Sequence, residues 1–119
     1  MIYDTLNPEI VRAIFKYARP GMRLLDVGCG TGRLGKVIKS KVNCFIAGIE
    51  IDQEAISAVR DVYDEIIVMN LEDLIIGHCK MNDYCKYDFL IFGDILEHVT
   101  KPERLLQCFR GSLREGGFL

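Results

Sequence analysis

The run Leu24-Leu25-Asp26-Val27, followed by Gly28-Cys29-Gly30-Thr31-Gly32, constrains this chain more than any other stretch. An apolar segment that ends in an acid and three alternate glycines reads as a buried strand leading into a tight turn without bulky side chains. Such a turn lets the backbone pass close to a ligand.

The same alternation of strand and helix continues on both sides of it. Asn7-Pro8-Glu9 signals a helix start, and Ile10, Val11, Ile14, Phe15 and Ala18 share one face until Pro20-Gly21 ends the helix. Strands are predicted at residues 23–27, 44–49, 65–69 and 87–92. Amphipathic helices are predicted at 31–39, with Leu34, Val37 and Ile38 inward, and at 53–62, with Ala55, Ile56 and Val59 inward. Residues 71–76 suggest a short helical turn before a loop. Thr100 and Glu103 form a capping-box pattern for a last helix carrying Leu105, Leu106, Phe109 and Leu113 inward. Gly116-Gly117 would end that helix, and Phe118 and Leu119 would begin a fifth strand. Alternating elements of this kind imply an open α/β fold, with a mainly parallel sheet and helices on both faces.

Composition narrows the partners. The 119 residues suffice for one compact domain, half are hydrophobic, and 27% are charged. A net charge of -2 argues against nucleic acid, although residues 1–41 hold eight Lys or Arg against three Asp or Glu. Five cysteines without a paired C-x-x-C imply reduced thiols, and His78, Cys79 and Cys85 match no zinc spacing, so no metal is expected. The first residues lack the basic-then-apolar order of a signal peptide, and no apolar run reaches membrane-spanning length. The expected location is the cytoplasm.

In open α/β sheets ligands bind beyond the carboxyl ends of the strands. Asp26 and the glycines follow strand one, Glu50 follows strand two, Asn70 follows strand three, and Gly93-Asp94 follow strand four. The glycine turn does not complete a dinucleotide fingerprint, since Arg33 stands where the third glycine would fall. Nor does Gly35-Lys36-Val37 complete a phosphate loop, which requires a hydroxyl after the lysine. Glu50 can accept hydrogen bonds from a ribose, or be a solvated acid at a strand end. Both readings stay open on the residues alone.

Residues 24–32 and 48–52, Asn70-Leu71-Glu72-Asp73, and residues 87–99 resemble, in order and spacing, the successive motifs of class I S-adenosylmethionine-dependent methyltransferases. Residues 113–119 resemble that family's run into its fifth strand. Gly93-Asp94-Ile95-Leu96-Glu97-His98-Val99 is similar to the D-x-L-E-H-V run of members that act on small molecules. The resemblance implies a Rossmann-like sheet, S-adenosyl-L-methionine as cofactor, and a small-molecule methyl acceptor.

It also implies roles. Gly28, Cys29, Gly30 and Gly32 would pass under the methionine portion, with Asp26 orienting it and its amine. Glu50 would hold the ribose hydroxyls and Ile51 would pack on adenine. Asn70, where the family commonly has Asp, would accept from the adenine amino group, and the Leu71 amide would address a ring nitrogen. Gly93 and Asp94 would lie near the methionine end. His98 is the candidate general base, histidine being the residue type that most readily exchanges a proton near neutrality, or it only orients backbone.

The family's sheet has seven strands, so the chain is expected to be a domain cut off after the start of strand five. Strand four would then be an apolar sheet edge open to self-association. Two other functions remain on this reading: a module that binds S-adenosylmethionine without turnover, and a nucleotide-dependent oxidoreductase of similar topology.

Overall fold

A computed structural model describes residues 7–77, 86–93 and 95–118. Asn7 caps the first helix, α1 (Pro8–Tyr17), its Oδ1 accepting from the Glu9 and Ile10 amides at 3.0 and 3.4 Å. Pro8 occupies the first helical position, where an amide proton has no intrahelical partner to lose. The chain then runs through β1 (Arg23–Val27), α2 (Arg33–Lys39), β2 (Phe45–Glu50), α3 (Gln53–Val59), β3 (Glu65–Val68) and α4 (Leu71–Ile76). It continues through β4 (Tyr87–Ile91), a 3₁₀ turn at Leu96–His98, α5 (Pro102–Phe109), a second 3₁₀ turn at Arg110–Ser112, and β5 (Leu113–Phe118).

The five strands among the described residues are all parallel, in the order β3-β2-β1-β4-β5. The chain moves outward from β1 to β3 and then crosses to β4 on the other side of β1. Strand order therefore reverses at β1 and β4, which opens a crevice beyond their carboxyl ends.

The central strands β1, β2 and β4 are buried on both faces, as the near-continuous apolar run of β4 predicts, and all five residues of β4 are buried, whereas β3 at the edge stays partly exposed. Alternate residues of β1 divide between two cores. Leu25 and Val27 pack with Leu71, Leu74 and Ile75 of α4 and Leu105 and Phe109 of α5. Leu24 faces the other way, toward Ile14 of α1, Ile38 of α2, Val59 at the end of α3, and Tyr63 just beyond it. Period two puts Asp26 on the Leu24 side.

Three expectations need correction. The last strand begins at Leu113, not Phe118, because α5 stops at Phe109 and the following 3₁₀ turn delivers Leu113 opposite Tyr87. Pairing along β4 satisfies a row of backbone groups that one more helical turn would leave exposed. Phe118 then pairs with Phe89, so β5 carries a bulge between those two pairs. Consequently β4 is an interior strand between β1 and β5, and the open edge expected to drive self-association does not exist. Thr100 does not cap α5 either: Lys101 is the cap residue and makes no side-chain cap bond. Thr100 instead donates from its amide and hydroxyl to the Glu72 carboxylate at 2.8 and 2.7 Å.

Candidate functional site

The glycine turn adopts the geometry that its sequence demands. Gly28, Gly30 and Gly32 have φ of +72°, +56° and +80°, which side chains other than glycine seldom allow. The Gly28 and Cys29 amides donate to Ile49 O at 2.9 and 3.0 Å, pinning the turn to the end of β2.

Glu50, half-buried at that strand end, completes the attachment. Its Oε1 accepts from the Gly30 amide at 2.8 Å, and Oε2 accepts from the Ile51 and Asp52 amides at 3.0 and 3.1 Å. A carboxylate has about four acceptor positions, so the backbone leaves one, on Oε1, for a donor hydroxyl. The acid is thus fixed in place before any ligand arrives.

Asp26 is buried and meets a different environment. Tyr63 donates to its Oδ2 at 2.6 Å, and Oδ1 has no hydrogen-bond partner among the described residues. Burial raises the Asp26 pKa to about 6, against the Tyr63 hydrogen bond, and the negative charge of Glu50 adds to the rise. The Tyr63 hydroxyl is itself pushed well above its ordinary range, first by burial and then by the Asp26 charge. Cys29 is buried too, and burial, with Asp26 and Glu50 behind it, pushes its thiol up to about 12. It is a protonated core group and no nucleophile at neutral pH.

A cavity of about 160 Å³ adjoins the turn, with Gly28, Glu50, Ile51, Asn70, Leu71 and His98 in its wall. Ile51 is 52% exposed there, an apolar surface that a flat ring could cover. Asn70 caps α4, its Oδ1 accepting from the Glu72 amide at 3.0 Å, which leaves that oxygen one further acceptor position. Leu71 is the first residue of α4, so its N–H has no intrahelical partner. His98 lies at the surface in the 3₁₀ turn, its amide donating to Ile95 O at 2.9 Å.

The structure thus gathers six of the sequence-predicted residues around one cavity. Asp26, Cys29, Gly30 and Gly32 stand behind it in the turn and strand. Gly93 is half-buried at the end of β4 and outside the cavity wall, and Asp94 lies outside the described residues. Ile95 was missed: a Cβ on Gly28 would sit 2.8 Å from its Cδ1, so this side chain roofs the turn. Tyr63 was missed as well. Its signal was indirect, in Gly35 inside a helix and Gly48 inside a strand, where glycine is unfavourable unless something packs closely against it.

No group of three His, Cys, Asp or Glu among the described residues could hold a metal ion; His78, Cys79 and Cys85 lie outside them. Nor is any described helix long and apolar enough to cross a membrane.

Residues 3–119 match a family model described as a methyltransferase domain. A ubiquinone biosynthesis O-methyltransferase from Glaesserella parasuis is 30% identical over 108 residues, covering 83% of this chain and 44% of its own. One from Paraburkholderia phymatum is 26% identical over 117 residues, 96% of this chain and 50% of that protein. The chain spans about half the length of these curated relatives. Among solved structures, a TehB-like S-adenosylmethionine-dependent methyltransferase from Corynebacterium glutamicum superposes with a TM-score of 0.70 at 24% identity, over 90% of this chain and 57% of that one.

Proposed function

This chain belongs to the class I S-adenosylmethionine-dependent methyltransferases, and we propose from that footing that residues 1–119 form a cofactor-binding domain that methylates a hydroxyl on a small molecule. The observation that carries the reading is Glu50. Three backbone amides hold its carboxylate between the glycine turn and the cavity, with one acceptor position left for a ribose hydroxyl.

The surrounding residues fit the rest of the cofactor. Ile51 offers an apolar face for adenine, Asn70 Oδ1 an acceptor for its amino group, and the Leu71 amide a donor to a ring nitrogen. Gly28, Gly30 and Gly32 leave room for the methionine chain, with Cys29 contributing backbone, and Asp26 Oδ1 is an acceptor for its ammonium. We assign Gly93 and Asp94 to the methionine end on the family resemblance.

S-adenosylmethionine supplies, when bound, a methyl group already activated by its sulfonium charge. What the protein adds is alignment of the acceptor with that methyl, which by itself can remove several kcal/mol from a barrier. A hydroxyl acceptor must also lose a proton, and His98, at the surface of the cavity, is the proposed base. The relatives named as O-methyltransferases support an oxygen nucleophile of small size. The buried free cysteines Cys29, Cys44 and Cys108 support a cytoplasmic location.

Calorimetric titration with S-adenosylmethionine, S-adenosylhomocysteine and NAD tests the reading. Binding of the first two without NAD is expected, and NAD binding alone overturns it. Methyl transfer to a panel of phenols and alcohols, lost in His98→Ala, is expected next. Cofactor binding with no transfer to any acceptor would favour a non-catalytic module.

A further inference from the structure

Tyr63 lies outside the cavity wall, yet three glycines of the surrounding backbone pack against its ring. It follows α3, its amide donating to Val59 O at 3.1 Å, and it is 5% exposed. Its ring occupies a slot walled by glycine. A Cβ on Gly35 would lie 2.2 Å from the ring, one on Gly48 2.7 Å, and one on Gly32 3.3 Å. Real Cβ atoms do not approach so closely, so glycine at 35 and 48 is what admits the ring. The slot leaves the ring one orientation, and that orientation brings its hydroxyl 2.6 Å from Asp26 Oδ2.

We propose that Tyr63 is a positioning residue for the cofactor: by donating to Asp26 Oδ2 it fixes the carboxylate and leaves Oδ1 for the ligand's ammonium group. This rests on the S-adenosylmethionine reading above. A short O–H···O⁻ bond is among the stronger hydrogen bonds, and in a buried site it is also directional. The titratable groups facing Asp26 are Tyr63 from the segment after α3, Cys29 from the turn and Glu50 from β2; no cation among the described residues adds to them. Tyr63 is therefore the one described group that favours the charged carboxylate. Without the hydroxyl, Asp26 would take up a proton at higher pH and turn freely, losing its hold on an ammonium.

S-adenosylhomocysteine binding, measured by calorimetry between pH 5 and pH 8.5, tests this with the 119-residue chain and its Tyr63→Phe, Asp26→Asn and double variants. The unsubstituted chain should bind well above the Asp26 titration and lose affinity as pH falls through it. Tyr63→Phe should weaken binding about tenfold at pH 7 and move that midpoint upward by about one pH unit. Its effect should be several-fold smaller in the Asp26→Asn background, because there it positions a neutral amide and no longer a carboxylate. An unchanged midpoint overturns the proposal, as does an equal weakening in the Asp26→Asn background, which would mean packing alone. If the unsubstituted chain binds at no pH, the cofactor reading falls and takes this inference with it. Should Tyr63→Phe fail to fold, replacing tyrosine by 3-fluorotyrosine keeps the ring and strengthens the donor. A midpoint that moves downward then supports the proposal, and one that stays in place overturns it.

Discussion

Asp26 and Asp88 are buried acids on the neighbouring strands β1 and β4, but they serve opposite ends of the sheet and are treated in opposite ways. At the amino end, Asp88 has both oxygens engaged: Oδ2 accepts from the Arg23 amide at 2.8 Å, and Oδ1 from the Arg114 guanidinium at 2.9 Å. It ties β4 to β1 and to β5. At the carboxyl end, Asp26 has one neutral donor among the described residues, and burial raises its pKa to about 6. One acid is satisfied and fastens strands; the other is kept short of partners at a cost to stability. A fold tolerates that shortfall where a ligand completes the environment.

The largest effects should come from Asp26. Its pKa in the folded chain lies above the ordinary 3.8, so between these values the folded state binds more protons than the unfolded state. Stability from this group is full below about pH 4 and is lost as pH rises through about 6. The loss at neutrality is at most about 3 kcal/mol. Asp26→Asn, which removes the charge and keeps an acceptor for Tyr63, should therefore raise stability by about 1–3 kcal/mol at pH 7.5 and change little at pH 4. Urea unfolding at the two pH values measures this. The same variant should lower S-adenosylhomocysteine affinity about a hundredfold, through loss of a charge-assisted hydrogen bond. Equal stability change at both pH values would remove the contrast with Asp88.

Asp88→Ala should give the reverse pattern. It leaves the Arg23 amide unpaired in a part-buried position, a cost of about 1–3 kcal/mol, with cofactor affinity unchanged within about twofold. A large loss of affinity would mean that the two ends are coupled through β1 and β4.

Glu50→Gln lies between them. The amide of glutamine offers two donors where the carboxylate offered acceptors, and three backbone N–H groups face it. Affinity should fall about tenfold or more, because the turn loses its attachment along with the hydroxyl acceptor. Measuring affinity and urea stability on the same preparation separates the two losses: a fall in affinity with unchanged stability would assign the effect to the ligand contact alone.

The carboxyl end was the more legible of the two in the sequence. Glycines at 28, 30 and 32 have few uses after a buried strand, and an acid ending β2 falls beside them once the strands are parallel. Asn7, Pro8 and the apolar run of β4 likewise announced themselves locally. Tyr63 did not, because its partners are 15, 28, 31 and 37 residues away and only packing brings Gly48, Gly35, Gly32 and Asp26 to one ring. The start of β5 is hidden for a related reason: residues 105–113 carry a helical apolar pattern, and only pairing along β4 decides that Leu113 enters a strand instead. Asp88 sat within an apolar strand with nothing nearby in sequence to mark Arg23 or Arg114 as its partners.

The smallest effect concerns a contact that local pattern also misassigned. Thr100 and Glu103 fit a capping box, yet Thr100 donates twice to Glu72, 28 residues away. Glu72 is in the first turn of α4, and Thr100 follows the 3₁₀ turn that carries His98. The pair therefore joins the two segments that form one side of the cavity, and its two hydrogen bonds hold the Glu72 pKa below its ordinary value. The contact is exposed, so water competes for it and little stability depends on it. Thr100→Val keeps the amide donor and the β-branched shape and removes the hydroxyl. S-adenosylhomocysteine affinity should fall by about twofold to fivefold with the unfolding midpoint unmoved, since the contact sets how two cavity segments meet while water replaces its hydrogen bond in the unfolded chain. The effect should fade as pH drops through the Glu72 titration, when a protonated carboxyl accepts less well in unsubstituted chain and variant alike. A midpoint that moves without any change in affinity would make the contact a fastener like Asp88, on the wrong end of the sheet for that role.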